Sequence, residues 1–278
     1  MNVLEFTGLI WLGSLAAGFL GGLTGLGGGV VIVPLLTLAF GVDIRYAIGA
    51  SLVSVIATSS GAAAAYVKEG FTNMRIGMFL EIATTVGALV GAGVAARLSP
   101  DIVAVIFGIV LIGSAYLSSR PRQATSGNQR PDRIAAYLHF DGAYPGPDGQ
   151  IAYHVRGVPA GFGLMFVAGG LSGLLGIGSG ALKVLALDQA MRIPFKVSTT
   201  TSNFMIGVTA AASAGVYLNR GYIDPGLAMP VVLGVLPGAM LATVFLKSAK
   251  SVILRKVFAV VIVLLAVEMI YNGLTGRF

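Results

Sequence analysis

Lys183 is the one basic residue that lies well inside an apolar segment of this chain, three positions after Gly180. A charge at the centre of a membrane helix costs at least about 2.5–3.5 kcal/mol on insertion scales, and such residues typically mark functional sites. The chemistry of its ammonium would be pairing with an anionic ligand. The alternative is a lysine that extends from a short re-entrant helix to the membrane interface and binds nothing.

A run of hydroxyl and amide side chains opens the next apolar segment, in the sequence KVSTTTSNF (Lys196–Phe204). At a helix N-terminus such side chains can cap the helix or bind an oxyanion. Ordinary capping explains one or two of them, whereas five in a row favour a polar cavity. The five are Thr199, Thr200, Thr201, Ser202 and Asn203.

Glu81 lies early in one apolar segment, and Glu268 lies near the end of the last. Buried carboxylates can relay protons, so Glu81 is a candidate for proton coupling, with a structural role as the alternative. Glu268 is placed at the membrane interface. His139 and His154 fall in a polar stretch and are interpreted as surface residues.

Glycine clusters precede both Lys183 and its counterpart in the first half of the chain. GFLGGLTGLGGG (Gly18–Gly29) aligns without a gap on GGLSGLLGIGSG (Gly169–Gly180), 151 residues later, and seven of the twelve pairs are identical. Paired breaks at matching places of two apolar halves are the best sequence pointer to a transporter's binding site. Tight helix packing, as in GxxxG motifs, is the alternative. The residues assigned to the two breaks are Gly25, Gly27, Gly28, Gly29, Gly176, Gly178, Ser179 and Gly180.

The two copies differ in their polar residues. Ile32 stands where the second half has Lys183, and the segment that matches the hydroxyl run keeps only Ser51. The site is therefore expected to be asymmetric, with most of its polar groups in the second half.

Composition identifies the class of protein. Apolar residues make up 56% of the 278 and charged residues 10%, against about 25% charged in soluble domains. Apolar runs without charge exceed the roughly 18 residues that indicate a membrane span. Most basic residues lie in short connections, where lipid orientation explains the net charge of +7 better than nucleic acid does.

Several kinds of chemistry find no support in the sequence. No cysteine is present, and no HExxH, GxSxG or Walker A motif occurs, so we expect no enzyme, no metal site, no cofactor and no ATP-driven transport by this chain. The expected partners are a small anion and the lipid bilayer. A homo-oligomer is left open.

The elements that must position these residues are ten apolar segments, five in each half. They cover 4–24, 28–41, 47–66, 74–96 and 102–119, then 158–176, 180–190, 197–218, 225–246 and 252–272. If the chain reverses at each glycine break, thirteen of the connecting Lys and Arg residues fall on one side of the membrane and four on the other. That imbalance is what the positive-inside rule requires.

The predicted fold is an all-α helical bundle of two inverted repeats, each of about five segments including a glycine-broken, re-entrant helix pair. An odd number of segments in each half makes the halves enter the membrane in opposite directions, and the positive charges place the connecting stretch in the cytoplasm and both termini outside. The divisions are a first membrane repeat (1–119), a polar cytoplasmic loop (120–157) and a second membrane repeat (158–278). Within the loop, AAYLHF and QIAYHV flank DGAYPGPDG, which predicts a β-hairpin around a turn.

The paired motifs resemble the sulfite exporter TauE/SafE family of membrane permeases over nearly the whole chain. They are GLTGLGGGVVIVPLL (Gly22–Leu36) with IGASLVSV (Ile48–Val55), and GLLGIGSGALKV (Gly173–Val184) with IPFKVSTTTSNFMIGVTAAASA (Ile193–Ala214). The resemblance implies movement of small anions without ATP, mainly sulfur oxyanions, organosulfonates or carboxylates. It implies binding roles for the glycines of both breaks, Ser51, Lys183, Thr201, Ser202 and Asn203. This chain departs from the family pattern in GIGSG and in Leu185, which stands where a proline like Pro34 is typical.

The function expected from these features is secondary transport of a small anion across the cell membrane, with the site between the two glycine breaks. An anion channel on the same scaffold is the alternative. A saturable, trans-stimulated flux would distinguish the transporter from the channel.

Overall fold

The computed structural model describes residues 2–24, 28–68, 70–119, 132–146, 149–246 and 251–277. Within these ranges the protein is a helical bundle with one short β-hairpin between its two halves. Gly28 and Gly29 of the first break are described, whereas Gly25 and Gly27 lie outside the described residues.

The first half contains four long helices and one short helix that continues into a π-helix. In chain order they are α1 (Val3–Thr24), α2 (Gly29–Pro34) with the π-helix Leu35–Ala39, α3 (Ile44–Lys68), α4 (Met74–Ala95) and α5 (Pro100–Ser119). The six residues of α2 and the five of the π-helix rise about 16 Å together. That is about half of the hydrocarbon core of a bilayer.

The connection between the halves contains the short helix α6 (Arg133–Tyr137) and the antiparallel strands β1 (Gly142–Gly146) and β2 (Gly149–Tyr153). The prediction of a hairpin is confirmed, but its first strand was placed wrongly. AAYLHF begins inside α6, and β1 lies in the segment predicted to form the turn. The reason is tertiary packing, because Ala135 and Phe140 are buried against the helical bundle.

The second half repeats the pattern of the first. Its elements are α7 (Val158–Leu175), α8 (Gly180–Leu185) with the π-helix Ala186–Ala190, α9 (Phe195–Asn219), α10 (Pro225–Leu246) and α11 (Ser251–Leu274). Both π-helices occupy the same place in the repeat. π-helical turns are rare overall, but those that occur are often found at functional sites.

The chain reverses at the first glycine break. A Cβ on Gly28 would lie 3.7 Å from the Cα of Gly18, and a Cβ on Gly13 would lie 2.9 Å from the side chain of Leu35. As α2 advances it therefore passes earlier and earlier residues of α1. Just after the π-helix, the ring of Phe40 lies 5.8 Å from that of Phe6, which is near the start of α1.

The halves are joined by close helix pairs in which glycine is required. Helix α1 packs along α10, and α4 packs along α7. A Cβ on Gly18 would lie 2.4 Å from the carbonyl oxygen of Val235, and one on Gly169 would lie 2.1 Å from that of Thr84. The two contacts are equivalent in the repeat, because Gly18 corresponds to Gly169 and Thr84 corresponds to Val235 at the spacing of 151 residues. At these positions the packing interpretation of the glycines holds.

Contacts between matching helices run in opposite directions. At the start of α3 the ring of Tyr46 lies 5.6 Å from that of Tyr222, just beyond the end of α9. Further along α3, Ser59 lies against Gly207, which is earlier in α9. Helices α5 and α11 also meet in antiparallel order, through Asp101 against Gly273 and Gly108 against Ala266.

The surface of the bundle is apolar and its interior holds the polar groups. On α4 the exposed positions include Met78, Ile82 and Val86, whereas Glu81 and Thr84 are buried. This distribution is the reverse of that in a soluble helix and suits a lipid environment. Within the described residues, four helices are long and apolar enough to cross a membrane: Leu4–Gly21, Met74–Ala95, Val158–Leu175 and Pro225–Ala242.

Candidate functional site

The two glycine breaks come together in the middle of the bundle, against α3. The hydroxyl of Ser51 donates a hydrogen bond of 2.8 Å to the carbonyl oxygen of Gly176. A Cβ on Gly29 would lie 2.7 Å from that same hydroxyl oxygen and 3.1 Å from the Gly176 carbonyl oxygen. The structure thus brings Ser51, Gly29 and Gly176 into one contact, although they lie in different halves of the sequence.

The second break is bent by residues with left-handed backbone conformations. Gly176 has φ +69°, Gly178 has φ +71° and Ser179 has φ +45°. A Cβ on Gly178 would lie 3.0 Å from Ile206 and 3.2 Å from Val55, which are matching residues of α9 and α3. Gly178 therefore lies at the contact between these two helices.

Ser179 differs from its counterpart Gly28 in conformation as well as in composition. Gly28 is in the right-handed helical region, with φ −63°. Ser179 is a non-glycine residue with positive φ, which costs of order 1–3 kcal/mol and tends to persist at functional sites. Its hydroxyl is buried and has no hydrogen-bond partner among the described residues.

Lys183 is fully buried and is connected to Glu81 through the hydroxyl of Thr209. Lys183 Nζ donates to Thr209 Oγ1 at 2.5 Å, and Thr209 Oγ1 donates to Glu81 Oε1 at 2.6 Å. Helices α8, α9 and α4 each supply one of the three. Lys183 and Glu81 were predicted as separate candidates, and the structure places them in one hydrogen-bonded chain.

This chain lies next to the glycine break. Ile206, which contacts Gly178, precedes Thr209 on α9 by one helical turn. Lys183 follows Ser179 by one turn, since its amide donates to the Ser179 carbonyl oxygen. The lysine side chain in a helix leans toward the N-terminus, here toward the break.

The carboxylate of Glu81 is only partly satisfied. Its Oε1 also accepts from Thr85 at 3.2 Å. Its Oε2 is buried without a hydrogen-bond partner in the part of the chain that the structure describes. Buried polar atoms of this kind call for an explanation, such as a ligand, a water molecule or a change of protonation.

The hydroxyl groups at the start of α9 have different hydrogen-bond partners. Thr199 and Thr200 donate to carbonyl oxygens of their own helix, at Phe195 and Lys196. Thr201 accepts from the backbone amide of Asn73 and so ties α9 to the start of α4.

The end of the run points toward the glycine break. Ser202 donates to the Gly180 carbonyl oxygen at 3.4 Å, and Asn203 is half-buried. Of the five residues, Ser202 is thus the one that bonds to the break.

Helices α3 and α9 lie side by side, and a cationic side chain lies over an aromatic ring at each of the two ends of this pair. Arg45 lies 5.7 Å from the ring centre of Tyr222, and Lys196 lies 5.4 Å from that of Phe71. The second pair is again the first displaced by 151 residues. We call these two places the arginine mouth and the lysine mouth.

The two mouths differ in what covers them. The arginine mouth contains a pocket lined by Arg45, Arg220, Tyr217, Tyr222 and Ile48. Ile48 forms its inner end and touches Gly176 on the other side, where a Cβ on the glycine would lie 2.8 Å from it.

The hairpin lies over the lysine mouth. Tyr144 of β1 packs on Phe71, with ring centres 6.4 Å apart. Asn73 donates to the hydroxyl of Tyr153 at 2.7 Å, and burial raises the pKa of that phenol, so it stays neutral. The lysine mouth is therefore covered by the central connection, and within the described residues no such hairpin lies over the arginine mouth.

Thr209 and the two mouths are the features that sequence reasoning missed. The identity of Thr58 and Thr209 at the repeat spacing was visible, but a threonine in an apolar helix is common and carries no charge. Arg45 was counted only as a topological charge. In the described part of the chain, no three His, Asp or Glu side chains lie together in a way that could hold a metal ion.

Comparison with known proteins matches the sulfite exporter TauE/SafE family model over residues 10–269. The chain is 29% identical to the probable membrane transporter protein YunE of Bacillus subtilis, over 98% of this chain and 99% of that relative. It is 27% identical to the probable membrane transporter protein YdhB of the same organism, over 89% of this chain and 93% of YdhB.

A more distant relative comes from an archaeon. The probable membrane transporter protein MJ0441 of Methanocaldococcus jannaschii is 25% identical, over 79% of this chain and 78% of that protein. No solved structure matches the chain. Because the family model covers nearly the whole sequence and the relatives are named as membrane transporters, this chain is a membrane transporter protein that belongs to the sulfite exporter TauE/SafE family.

Proposed function

We propose that this protein is a secondary transporter of a small oxyanion, which binds between the two glycine breaks. The observation that carries the proposal is the meeting of Gly29, Ser51 and Gly176 in the middle of the bundle, beside the buried Lys183. Irregular backbone survives at membrane depth only where protein or a water-filled cavity satisfies its polar groups. A converging pair of such breaks is a natural place for a transported ligand.

The substrate class follows from the polar groups that surround this place. They include the ammonium of Lys183 and the hydroxyl groups of Ser51 and Ser179, which favour an anion with several acceptor oxygens, and the carboxylate of Glu81. Sulfur oxyanions, organosulfonates and carboxylates fit this description, and sulfite is the anion in the family name. A bulky anion does not fit, because side chains of α3 and α9 lie within van der Waals contact of Gly178.

Alternating access would use the two halves as inverted repeats. The antiparallel contacts of α3 with α9 and of α5 with α11 support an inverted relation of the halves. In this arrangement both termini are extracytoplasmic, and the loop 120–157 lies in the cytoplasm between the repeats 1–119 and 158–278. Rocking of one half against the other would expose the central site to each side in turn.

The mouths supply the entry and exit of the path. Arg45 and Arg220 would attract anions to the extracytoplasmic pocket, which reaches inward to Ile48 and the Gly176 break. The lysine mouth, covered by the hairpin, would open on the cytoplasmic side. Rings of basic side chains are a common device for attracting anions into membrane pathways.

Counterflow in proteoliposomes tests this function. The purified protein is reconstituted with unlabelled anion inside, and uptake of labelled sulfite, a small alkanesulfonate or a carboxylate is followed. A saturable uptake that internal anion accelerates is expected. No uptake of any of the three would overturn the proposal, and a conductance without saturation or trans-stimulation would show a channel instead.

A further inference from the structure

The hydroxyl of Thr209 is placed so that its single proton can serve one of two acceptors. Its oxygen lies 2.6 Å from Glu81 Oε1 and 2.9 Å from the carbonyl oxygen of Met205, one turn earlier on α9. The same oxygen accepts from Lys183. A hydroxyl has one proton and two lone pairs. Thr209 can therefore donate to the Glu81 carboxylate or to the Met205 carbonyl oxygen, but not to both at once.

The protonation of Glu81 decides which acceptor is used. When Glu81 is ionised, Thr209 donates to it, and the negative carboxylate balances the positive charge of Lys183. When Glu81 is protonated, its own O–H can donate to Thr209, whose proton then turns to the Met205 carbonyl oxygen. Both arrangements satisfy Thr209 without any movement of the backbone.

The place related to this one by the repeat contains the threonine without either charge. The counterparts of Lys183, Thr209 and Glu81, at the spacing of 151 residues, are Ile32, Thr58 and Val232. Thr58 bonds only to carbonyl oxygens of its own helix, at Ser54 and Val55. The two charges are thus present together at one of the two places related by the repeat and absent together from the other, as expected if they work as a pair.

The other titratable groups on α4 and on the helices packed along it lie away from this pair in the described residues. The helices packed along α4 are α7, which has no titratable residue, and α9, whose Lys196 and Tyr217 lie near its two ends. Lys196 faces Phe71, and Tyr217 donates to the Leu174 carbonyl oxygen. Arg75 on α4 itself reaches the His139 carbonyl oxygen. Lys183 reaches Glu81 from α8 through Thr209. The π-helix that continues α8 also contains the buried Asp188.

An anion at the break would upset the balance between Lys183 and Glu81. Two negative charges would then share one ammonium in a region of low dielectric, where unbalanced charge is costly. Protonation of Glu81 removes the excess charge, because the substrate then takes the place of the carboxylate as the counter-ion of Lys183. When the anion leaves, Glu81 must lose its proton to balance Lys183 again.

We propose that Glu81, Thr209 and Lys183 couple transport to protons, so that one monovalent anion crosses the membrane together with one proton. The proposal rests on the anion transport proposed above and adds the co-transported ion. The proton is carried by Glu81, while Thr209 changes its acceptor and Lys183 exchanges one anionic partner for another. No net charge crosses the membrane in a complete cycle.

The test uses a small alkanesulfonate in proteoliposomes that contain a pH-sensitive dye. A sulfonate stays ionised at every pH of the assay, so no proton can cross on the substrate itself. An inward gradient of the anion should acidify the interior at about one proton for each anion, and an inward proton gradient should drive accumulation of the anion. Clamping the membrane potential at different values should leave the rate unchanged.

Two variants separate coupling from transport. In Glu81→Gln the ratio of protons to anions should fall to near zero in whatever anion flux remains, and the dependence of uptake on pH should flatten. Thr209→Val removes a hydrogen bond between charged groups and should slow proton-driven uptake about tenfold or more. Thr58→Val, the matched variant of the other half, should stay close to the wild type in rate and in ratio.

The outcomes distinguish the two proposals. If the wild type shows no counterflow, the transport function itself fails. If counterflow is present but a proton gradient drives no accumulation, or the wild type moves sulfonate without protons, coupling is overturned and transport stands. These wild-type measurements decide the matter even if a variant does not fold. Equal losses in Thr58→Val and Thr209→Val would also contradict the coupling role.

Discussion

Ser51 donates a hydrogen bond of 2.8 Å to the carbonyl oxygen of Gly176, and this bond joins a helix of the first half to the broken segment of the second. Ser51 and Gly176 lie 125 positions apart in the sequence. Both are fully or almost fully buried, and the Cβ of any residue at Gly29 would collide with the same hydroxyl. The contact therefore marks the place where the two glycine breaks meet.

Replacing Ser51 by alanine should weaken anion binding. The Gly176 carbonyl would lose its partner at the centre of the site, which costs about 0.5–1.5 kcal/mol, or up to about tenfold in affinity. Concentration dependence of counterflow measures the effect. Ser54→Ala is the matched control, because Ser54 is equally buried on α3 but bonds only to the Ser51 carbonyl oxygen of its own helix. A larger loss in Ser54→Ala would contradict the role of Ser51.

Lys183 and Glu81 should be coupled in stability as well as in transport. Removing one member of a buried charge pair costs about 3–5 kcal/mol, whereas replacing both can be nearly neutral. Lys183→Met and Glu81→Gln should each lower the thermal unfolding midpoint in detergent, and the double variant should recover most of the loss. Additive losses would show that the two residues act independently.

Substitution of Gly87 should disrupt the packing of α4 on α7. A Cβ there would lie 2.1 Å from the carbonyl oxygen of Phe166, so Gly87→Ala should destabilise the protein by about 1–3 kcal/mol. Gly93 is the control on the same helix, since nothing lies within 4 Å of a Cβ at that position. Gly93→Ala should be neutral or slightly stabilising in the same thermal assay. Equal effects would mean that the α4–α7 contact is not a close one.

Arg192→Gly should stabilise the protein. Arg192 ends the second π-helical segment with φ +58°, at the position where the first half has Gly41 with φ +63°. A left-handed conformation is unfavourable for arginine, while glycine loses more chain entropy on folding, so the net gain is about 0.5–1 kcal/mol. The unfolding midpoint of the variant should rise. Gly41→Ala should lower it, and opposite signs in either variant would refute the conformational argument.

Labelling of single cysteines should determine the orientation of the chain. The protein has no cysteine of its own, so Gln150→Cys in β2 and Arg277→Cys near the C-terminus are each labelled separately. A membrane-impermeant thiol reagent added to intact cells should react with the second variant. The first should react only after the membrane is permeabilised. The reverse pattern, or equal reaction of both, would overturn the inverted topology.

The sequence by itself determined the helices and the repeat. Long apolar runs must become helices in a membrane, because every backbone polar group there needs an internal partner. Glycine clusters and short polar connections then bound the segments, and the observed helices begin and end within a few residues of those bounds. The spacing of 151 residues also predicted which elements correspond, and the π-helices that follow the two breaks, which the sequence did not predict, lie at that same spacing.

Tertiary structure decided which polar residues meet. Lys183, Thr209 and Glu81 lie on three different helices, and periodicity within one helix carries no information about the face of another. The first strand of the hairpin was misplaced for a similar reason, because burial of Ala135 and Phe140 against the bundle overrides the local pattern. Helix formation follows from the apolar composition of each segment and from the membrane as its solvent. A site built from several helices depends instead on how their surfaces pack, and only the folded chain determines that packing.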